Sequence, residues 1–166
     1  SYIRTYKIDA VISNCSNNYG PYQFPEKLLP KMIFNIFNNK ELPIYGKGKN
    51  SREWIHVKDH CEALFMLYLK GKSGESYNVG SGYNFKNIDL VNKILNVCKL
   101  MGIEIGNKTK IRFVKDRPGH DFRYALDNKK INKELKWKSK INFTIGLKDT
   151  ITWYIKNSNF LKKIKK

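Results

Sequence analysis

The residues best suited to chemistry lie in a few short stretches. "SNNYGPYQFPEKLLP", residues 16–30, sets amides, tyrosines and a lysine around a Gly-Pro turn. An asparagine amide both donates and accepts, which suits sugar hydroxyls and other amides. An Asx-turn before Pro21 would use one asparagine. Asn17, Asn18, Tyr19 and Tyr22 together exceed what a turn needs. "DRPGHD", residues 116–121, is a second stretch. Arg117 can fork onto a phosphate through two parallel hydrogen bonds. The Pro118-Gly119 turn would carry His120 back beside it. His120 is a group that titrates near neutrality, yet no nucleophile or acid partner stands with it, so it reads as a binder. The same residues also read as a surface turn with a solvated arginine. Arg52 is another candidate phosphate ligand. Gly46-Lys47-Gly48 is too short for a P-loop and lacks G-K-[ST]. It reads as a hairpin turn, with Pro43, Ile44 and Tyr45 beside it as a wall for a flat ring.

A reaction centre is missing from this set. No glycine-rich dinucleotide fingerprint follows a strand. No Tyr-x-x-x-Lys pair stands where a lysine would lower a proton-transfer tyrosine, and Tyr2 to Tyr6 is the nearest approach. No Ser/His/Asp set or close carboxylate pair stands out. Cys15, Cys61 and Cys98 lie far apart, with no His pair at ligand spacing, so no metal site is expected.

The elements that must hold these residues follow from periodicity. Residues 8–14 form an apolar run that reads as a buried strand, and the asparagine loop follows its C-terminal end. Ligands of open α/β sheets bind at such ends. A helix is expected over 26–39, with Leu29, Met32, Ile33, Ile36 and Phe37 as its stripe. Strands are expected at LPIY, REWIHV, SYNV and KIRFV, and RPGHDFRYALD as a turn-rich loop. Further helices are expected over 58–70 (Cys61, Leu64, Phe65, Tyr68 inward), 87–101 (Leu90, Val91, Ile94, Leu95, Cys98 inward), NKKINKELKW and 145–157 (Leu147, Ile151, Tyr154, Ile155 inward). Asn87 reads as the cap of its helix. The tail FLKKIKK reads as frayed. Strands alternating with helices give an α/β class.

The chain has 166 residues, 41% hydrophobic and 28% charged, enough for a globular core. Its formal net charge is +18, and only five of the 32 basic residues are arginines. The lysines are scattered along the whole chain, which fits solvated faces better than one polyanion-binding stripe. A basic nucleic-acid module remains the reading from a different class; it would need a clustered face and a steep salt dependence. No apolar run approaches membrane-spanning length and no signal peptide opens the chain. Together with isolated thiols, this points to the cytoplasm. The opening residues, without Met and soon in a strand-like run, read as part of a longer protein.

Four stretches in order, SNNYGPYQFPEKLLP, LPIYGKGKNSREWIHVKDH, GESYNVGSGYNFKNIDLV and DRPGHDFRYALD, closely resemble the C-terminal half of the dTDP-glucose 4,6-dehydratases. These are extended short-chain dehydrogenases/reductases that use tightly bound NAD. The resemblance covers nearly the whole chain. It implies the end of a Rossmann-like NAD-binding domain (residues 1–24, with the substrate loop). A smaller C-terminal substrate-binding α/β domain (25–166) would follow, with interleaved segments that pack on the Rossmann part. Ser1 to Tyr6 would end the helix that carries the catalytic Tyr and Lys, and the acid-base pair would also lie upstream. No catalytic residue is therefore expected here, and the chain alone is expected to be inactive.

The family oxidises the sugar at C4, eliminates water across C5–C6 and returns the hydride to C6, giving a deoxysugar precursor. By motif, Asn18 would meet the nicotinamide cofactor and Asn17 the sugar nucleotide. Lys27, Leu28 and Arg52 would meet the diphosphate and nucleoside, Pro43, Ile44 and Tyr45 the thymine, and Asn87 the nucleotide. Asp116, Arg117, Pro118, Gly119 and His120 would close on the diphosphate and ribose. The full enzyme would be a homodimer acting on a dTDP-sugar, with no nucleic-acid or membrane partner. Another nucleotide-sugar dehydratase, epimerase or decarboxylase of the same superfamily is the sister reading. "SREW" is a minor departure from the expected pattern and leaves Arg52 in place.

Overall fold

The structure, a computed structural model, describes residues 1–162. It is a mixed α/β assembly built on two cores. The larger core lies among α2 (Leu28–Phe37), α4 (Asn87–Leu100) and α6 (Phe143–Lys156), where Leu29, Ile33, Leu90, Ile94, Leu147 and Ile151 have no exposed surface. The smaller core lies under a parallel pair, β1 (Ile12–Cys15) and β5 (Ser76–Val79), covered by α3 (Val57–Lys70) and α5 (Lys129–Leu135).

One strand joins the two. β4 (Ser51–His56) pairs in parallel with β2 (Asn17–Tyr19), in antiparallel fashion with β6 (Asn84–Lys86), and in parallel with β8 (Arg123–Tyr124). β6 and β8 contact the same end of β4, so β8 must share its other edge with β2. β3 (Leu42–Tyr45) and β7 (Ile111–Val114) form a separate parallel pair. Short helices α1 (Tyr2–Tyr6) and α7 (Ser158–Lys162) flank the fold.

Local chemistry accounts for several joints. Pro30 is the third residue of α2, where its missing N–H has no helical partner to lose. Asn142 caps α6, its Oδ1 accepting from Thr144 N at 2.9 Å and Ile145 N at 3.4 Å. A Cβ on Gly146 would sit 2.6 Å from the Tyr19 hydroxyl, so glycine lets α6 close onto β2. Tyr22 holds φ 64, a left-handed conformation that disfavours a side chain. Its ring lies 4.5 Å, centroid to centroid, from that of Trp153, which offsets part of that cost.

Several sequence expectations are corrected. Asn17 to Tyr19 is a strand rather than loop, and the first strand begins only at Ile12. α2 starts at Leu28, because residues 25–27 form a turn. Gly46-Lys47-Gly48 is a tight turn but not a hairpin: it links β3 and β4, which pair with different partners. α3 turns Asp59, Ala63 and Leu67 inward, while Cys61, Leu64, Phe65 and Tyr68 are exposed. Apolar residues lie on more than one side of α3, so periodicity alone could not choose the packed face. Ile155 of α6 is likewise exposed, and Val97 joins the stripe of α4 while Leu95 is only half-buried. The loop after β7 contains β8. The tail expected to fray begins inside α7, where Phe160 packs on Trp153; residues 163–166 lie outside the described residues.

Glu53 locks the central strand. Its carboxylate, 1% exposed, accepts from Gly82 N at 2.7 Å and Leu126 N at 2.8 Å. Gly80 is needed there, since a Cβ would come 2.3 Å from Glu53 Oε1. We expect Glu53→Ala to cost about 2–4 kcal/mol, because two backbone N–H groups lose a buried, charged acceptor. Urea denaturation measures it, and a loss below about 1 kcal/mol would show the clamp to be dispensable.

Candidate functional site

The start of β2, the C-terminal end of β3, the N-terminus of α2 and the middle of β4 surround a cavity of about 770 Å³. That volume is of the size that takes a nucleotide-sized ligand. Of the residues singled out from sequence, Asn17, Asn18, Lys27, Leu28, Pro43, Ile44, Tyr45, Arg52, Asn87, Arg117 and His120 line it. Asp116, Pro118 and Gly119 do not line it; they shape the loop that brings Arg117 and His120 in.

The wall is divided by chemistry. Leu28, Met32, Pro43, Ile44 and Val114 make an apolar side. Lys27, Lys31, Arg52 and Arg117 supply positive charge, against Glu26 as the one carboxylate in the lining. Lys27 Nζ lies 3.1 Å from Glu26 on the exposed rim, an ion pair worth little there.

Arg52 is the unusual member. It is 8% exposed and its guanidinium donates to two backbone carbonyls, Ser51 O and Asp121 O, each at 2.8 Å. No carboxylate lies within ion-pair distance of it among the described residues. A buried cation without a counter-charge is costly unless an anion binds beside it. Asn50 Nδ2 also donates to Asp121 O at 3.1 Å, so the two side chains tether the 116–121 loop to β4.

Within that loop Asp116 Oδ1 accepts from His120 Nδ1 at 2.7 Å and from Arg117 N at 2.8 Å. The hydrogen bond from His120, aided by that of Arg117, holds the Asp116 carboxyl below its usual range. The His120 and Tyr45 rings meet edge to face, centroids 6.2 Å apart, closing the loop over the end of β3. Asn87, expected from sequence to cap α4, is instead its first residue: it makes no capping hydrogen bond, and its Oδ1 is buried without a partner.

Asn18 is held by its neighbours. Its Oδ1 lies 2.9 Å from His60 Nδ1, and its Nδ2 donates to Ser16 O at 3.2 Å and, weakly, toward Cys15 Sγ at 3.5 Å. With His60 donating, one Oδ1 lone pair stays free and the sulfur contact is easily replaced. The residue therefore fits a single amide contact to a ligand at the end of β1. Tyr19 and Tyr22 serve packing, Tyr19 being buried with its hydroxyl directed at Phe143 O.

Sequence reasoning missed Gln23, Glu26, Lys31, Met32, Trp54 and Val114 in the lining. Trp54 had a signal: two residues from Arg52 on one strand, it shares its face. The Tyr-x-x-x-Lys spacing does occur, at Tyr45–Lys49 and Tyr68–Lys72. Neither pair lies within one helix, since Tyr45 ends β3 and Lys72 lies beyond α3. Among the described residues no cluster of three His, Cys, Asp or Glu is placed to hold a metal ion. No helix among them is long and apolar enough to cross a membrane.

The sequence matches the family described as GDP-mannose 4,6 dehydratase over residues 1–150. The chain belongs to that family. Within it, the chain is 48% identical over 167 residues to the dTDP-glucose 4,6-dehydratase of Shigella flexneri. That alignment covers 98% of this chain and 45% of the relative. It is 50% identical to a probable dTDP-glucose 4,6-dehydratase of Sinorhizobium fredii, covering 93% of this chain and 44% of the relative. The fold superimposes with a TM-score of 0.91 on the Streptomyces venezuelae dTDP-glucose 4,6-dehydratase, crystallised with NAD bound. That match is 40% identical and covers 99% of this chain and 49% of that one. The chain thus spans about half the length of the curated relatives it matches.

Burial lowers the pKa of both His56 and His60. Below about pH 6.5 the unfolded chain takes up protons that these folded imidazoles refuse, so stability is full above that pH and falls beneath it. His60→Gln removes one of the two contributions. We expect its Tm to drop less than that of the parent chain between pH 7 and pH 5; an equal drop would contradict the assignment.

Proposed function

We propose that these residues form the nucleotide-sugar-binding half of a dTDP-glucose 4,6-dehydratase, an NAD-dependent lyase. The observation that carries the reading is Arg52: a buried guanidinium, with no carboxylate beside it, facing a cavity whose other charges are mostly positive. A diphosphate supplies the missing charge. The names of relatives 42–50% identical over nearly the whole chain support the same substrate.

In this reading Arg52 and Arg117 grip the diphosphate, with Lys27 at the start of α2, where the helix dipole also favours an anion. Pro43, Ile44 and Tyr45 form the wall for thymine, with Leu28 toward the nucleoside. Asn87 offers its unpaired Oδ1 to the nucleotide. The Asp116 to His120 loop, pinned through Asp121 O, covers the ribose and phosphate side. Asn17 meets the hexose. Asn18, fixed by His60 and Ser16, presents its amide oxygen toward the nicotinamide. NAD, when bound, supplies reversible hydride acceptance. The chain's own residues bind, orient and neutralise charge, and among the described residues no tyrosine shares a helix with a lysine at the Tyr-x-x-x-Lys spacing.

The smaller core is, in the same reading, the end of the NAD-binding domain, residues 1–24 together with interleaved segments from α3, β5 and α5. The rest of 25–166 is the substrate domain. The full enzyme works as a homodimer in the cytoplasm, a location with which three free cysteines agree.

Calorimetry tests the substrate. Full-length protein should bind dTDP-glucose more tightly than UDP-glucose or GDP-mannose, and Arg52→Ala should weaken dTDP-glucose binding by at least about tenfold. Equal affinity for the three nucleotide sugars would overturn the base assignment. The 166 residues alone should give no conversion of dTDP-glucose in a product assay at any concentration of added NAD, and measurable turnover would place the reactive groups within this chain.

A further inference from the structure

Three residues that line this cavity each hold a buried side-chain atom without a hydrogen-bond partner: Gln23 Oε1, Trp54 Nε1 and Asn87 Oδ1. Asn87 was singled out from sequence, while Gln23 and Trp54 were not. A buried polar atom without a partner is disfavoured, so a set of them converging on one cavity marks where a ligand supplies the missing bonds.

The geometry of both residues is fixed by their surroundings. Gln23 Nε2 donates to Asn18 O at 2.7 Å, and Gln23 O accepts from the Tyr154 hydroxyl at 2.7 Å. Flipping the amide would set two oxygens against each other, so the free atom is the carbonyl oxygen, an acceptor. Trp54 is 3% exposed and its Nε1–H can only donate. It lies directly opposite Asn17 in the β2–β4 register and on the same face of β4 as Arg52. The residues with the orphan acceptor and the orphan donor therefore both adjoin β2, the strand that carries Asn17 and Asn18.

The charged residues of the cavity answer a diphosphate, but a neutral donor and a neutral acceptor do not. They answer hydroxyls, which donate and accept at once. We propose that Gln23 and Trp54 bind the hexose of the nucleotide sugar. Gln23 Oε1 accepts from one sugar hydroxyl, and Trp54 Nε1–H donates to the oxygen of another. The proposal rests on the nucleotide-sugar reading and adds to it a neutral grip that holds the sugar beside Asn17.

The test compares dTDP-glucose with dTDP, which lacks the hexose, by calorimetry on the full-length protein. Trp54→Phe keeps an aromatic ring and removes the N–H; Gln23→Met keeps the length and removes the acceptor. Each variant should lose about three- to tenfold of the affinity that the hexose adds, the worth of one neutral hydrogen bond, while dTDP binding stays within about twofold. If the gain from the hexose is unchanged in both variants, the proposal is overturned. Equal weakening of dTDP and dTDP-glucose overturns it too, since that marks a structural role for both residues. If the parent protein binds neither ligand, the nucleotide-sugar reading fails in its own right, and the variants are not needed to show it.

Discussion

The rest of the structure depends on how one buried carboxylate is satisfied. Glu53 accepts from Gly82 N and Leu126 N, backbone groups far from it in sequence and from each other. It thereby ties the turn before β6 and the segment after β8 to the middle of β4. Because β-strand side chains alternate, fixing Glu53 on one face fixes Arg52 and Trp54 on the other. The binding face of β4 is thus held by an interaction on its opposite face. The 116–121 loop is then anchored from the binding side, through Arg52 and Asn50 to Asp121 O.

That arrangement explains why the cavity can carry so much positive charge. Arg52 is already bound by two carbonyl oxygens, which orient it but neutralise none of its charge. Asp116, the acid that would be expected to quench Arg117, is instead occupied by His120 and by the Arg117 backbone N–H. Asp116 is used to shape its loop, and the two arginines keep their charge for a ligand. The +18 of the whole chain adds a general background, but the few buried or loop-held cations give it a direction.

Much of this was legible in the sequence. The α/β alternation, the stripes of α2 and α4, and most residues of the cavity could be read from motif and period. Other features could not. The packed side of α3 was chosen by small Ala63 and by Leu67, whereas Leu64, Phe65 and Tyr68 looked equally apolar on paper. Asn17 to Tyr19 read as loop because a three-residue strand has no periodicity of its own; its pairing with β4 creates it. Gln23 and Trp54 escaped notice because a glutamine in a loop and a tryptophan in a strand are ordinary by type. Only their unpaired atoms, visible in three dimensions, set them apart. The Tyr-x-x-x-Lys spacings show the converse: a sequence pattern means little when turns separate its members.

Trp54 packs into the larger core and Ile55, the next residue, into the smaller one. A slip of β4 by a single position would exchange them, thrusting Arg52 and Trp54 to the wrong side and drawing Glu53 into the cavity. Neither core can therefore tolerate an error in the other. Loss of either would release the strand that both share, so the two cores should melt together rather than in sequence. Two interiors that share one strand in this way are expected to unfold as a single cooperative unit.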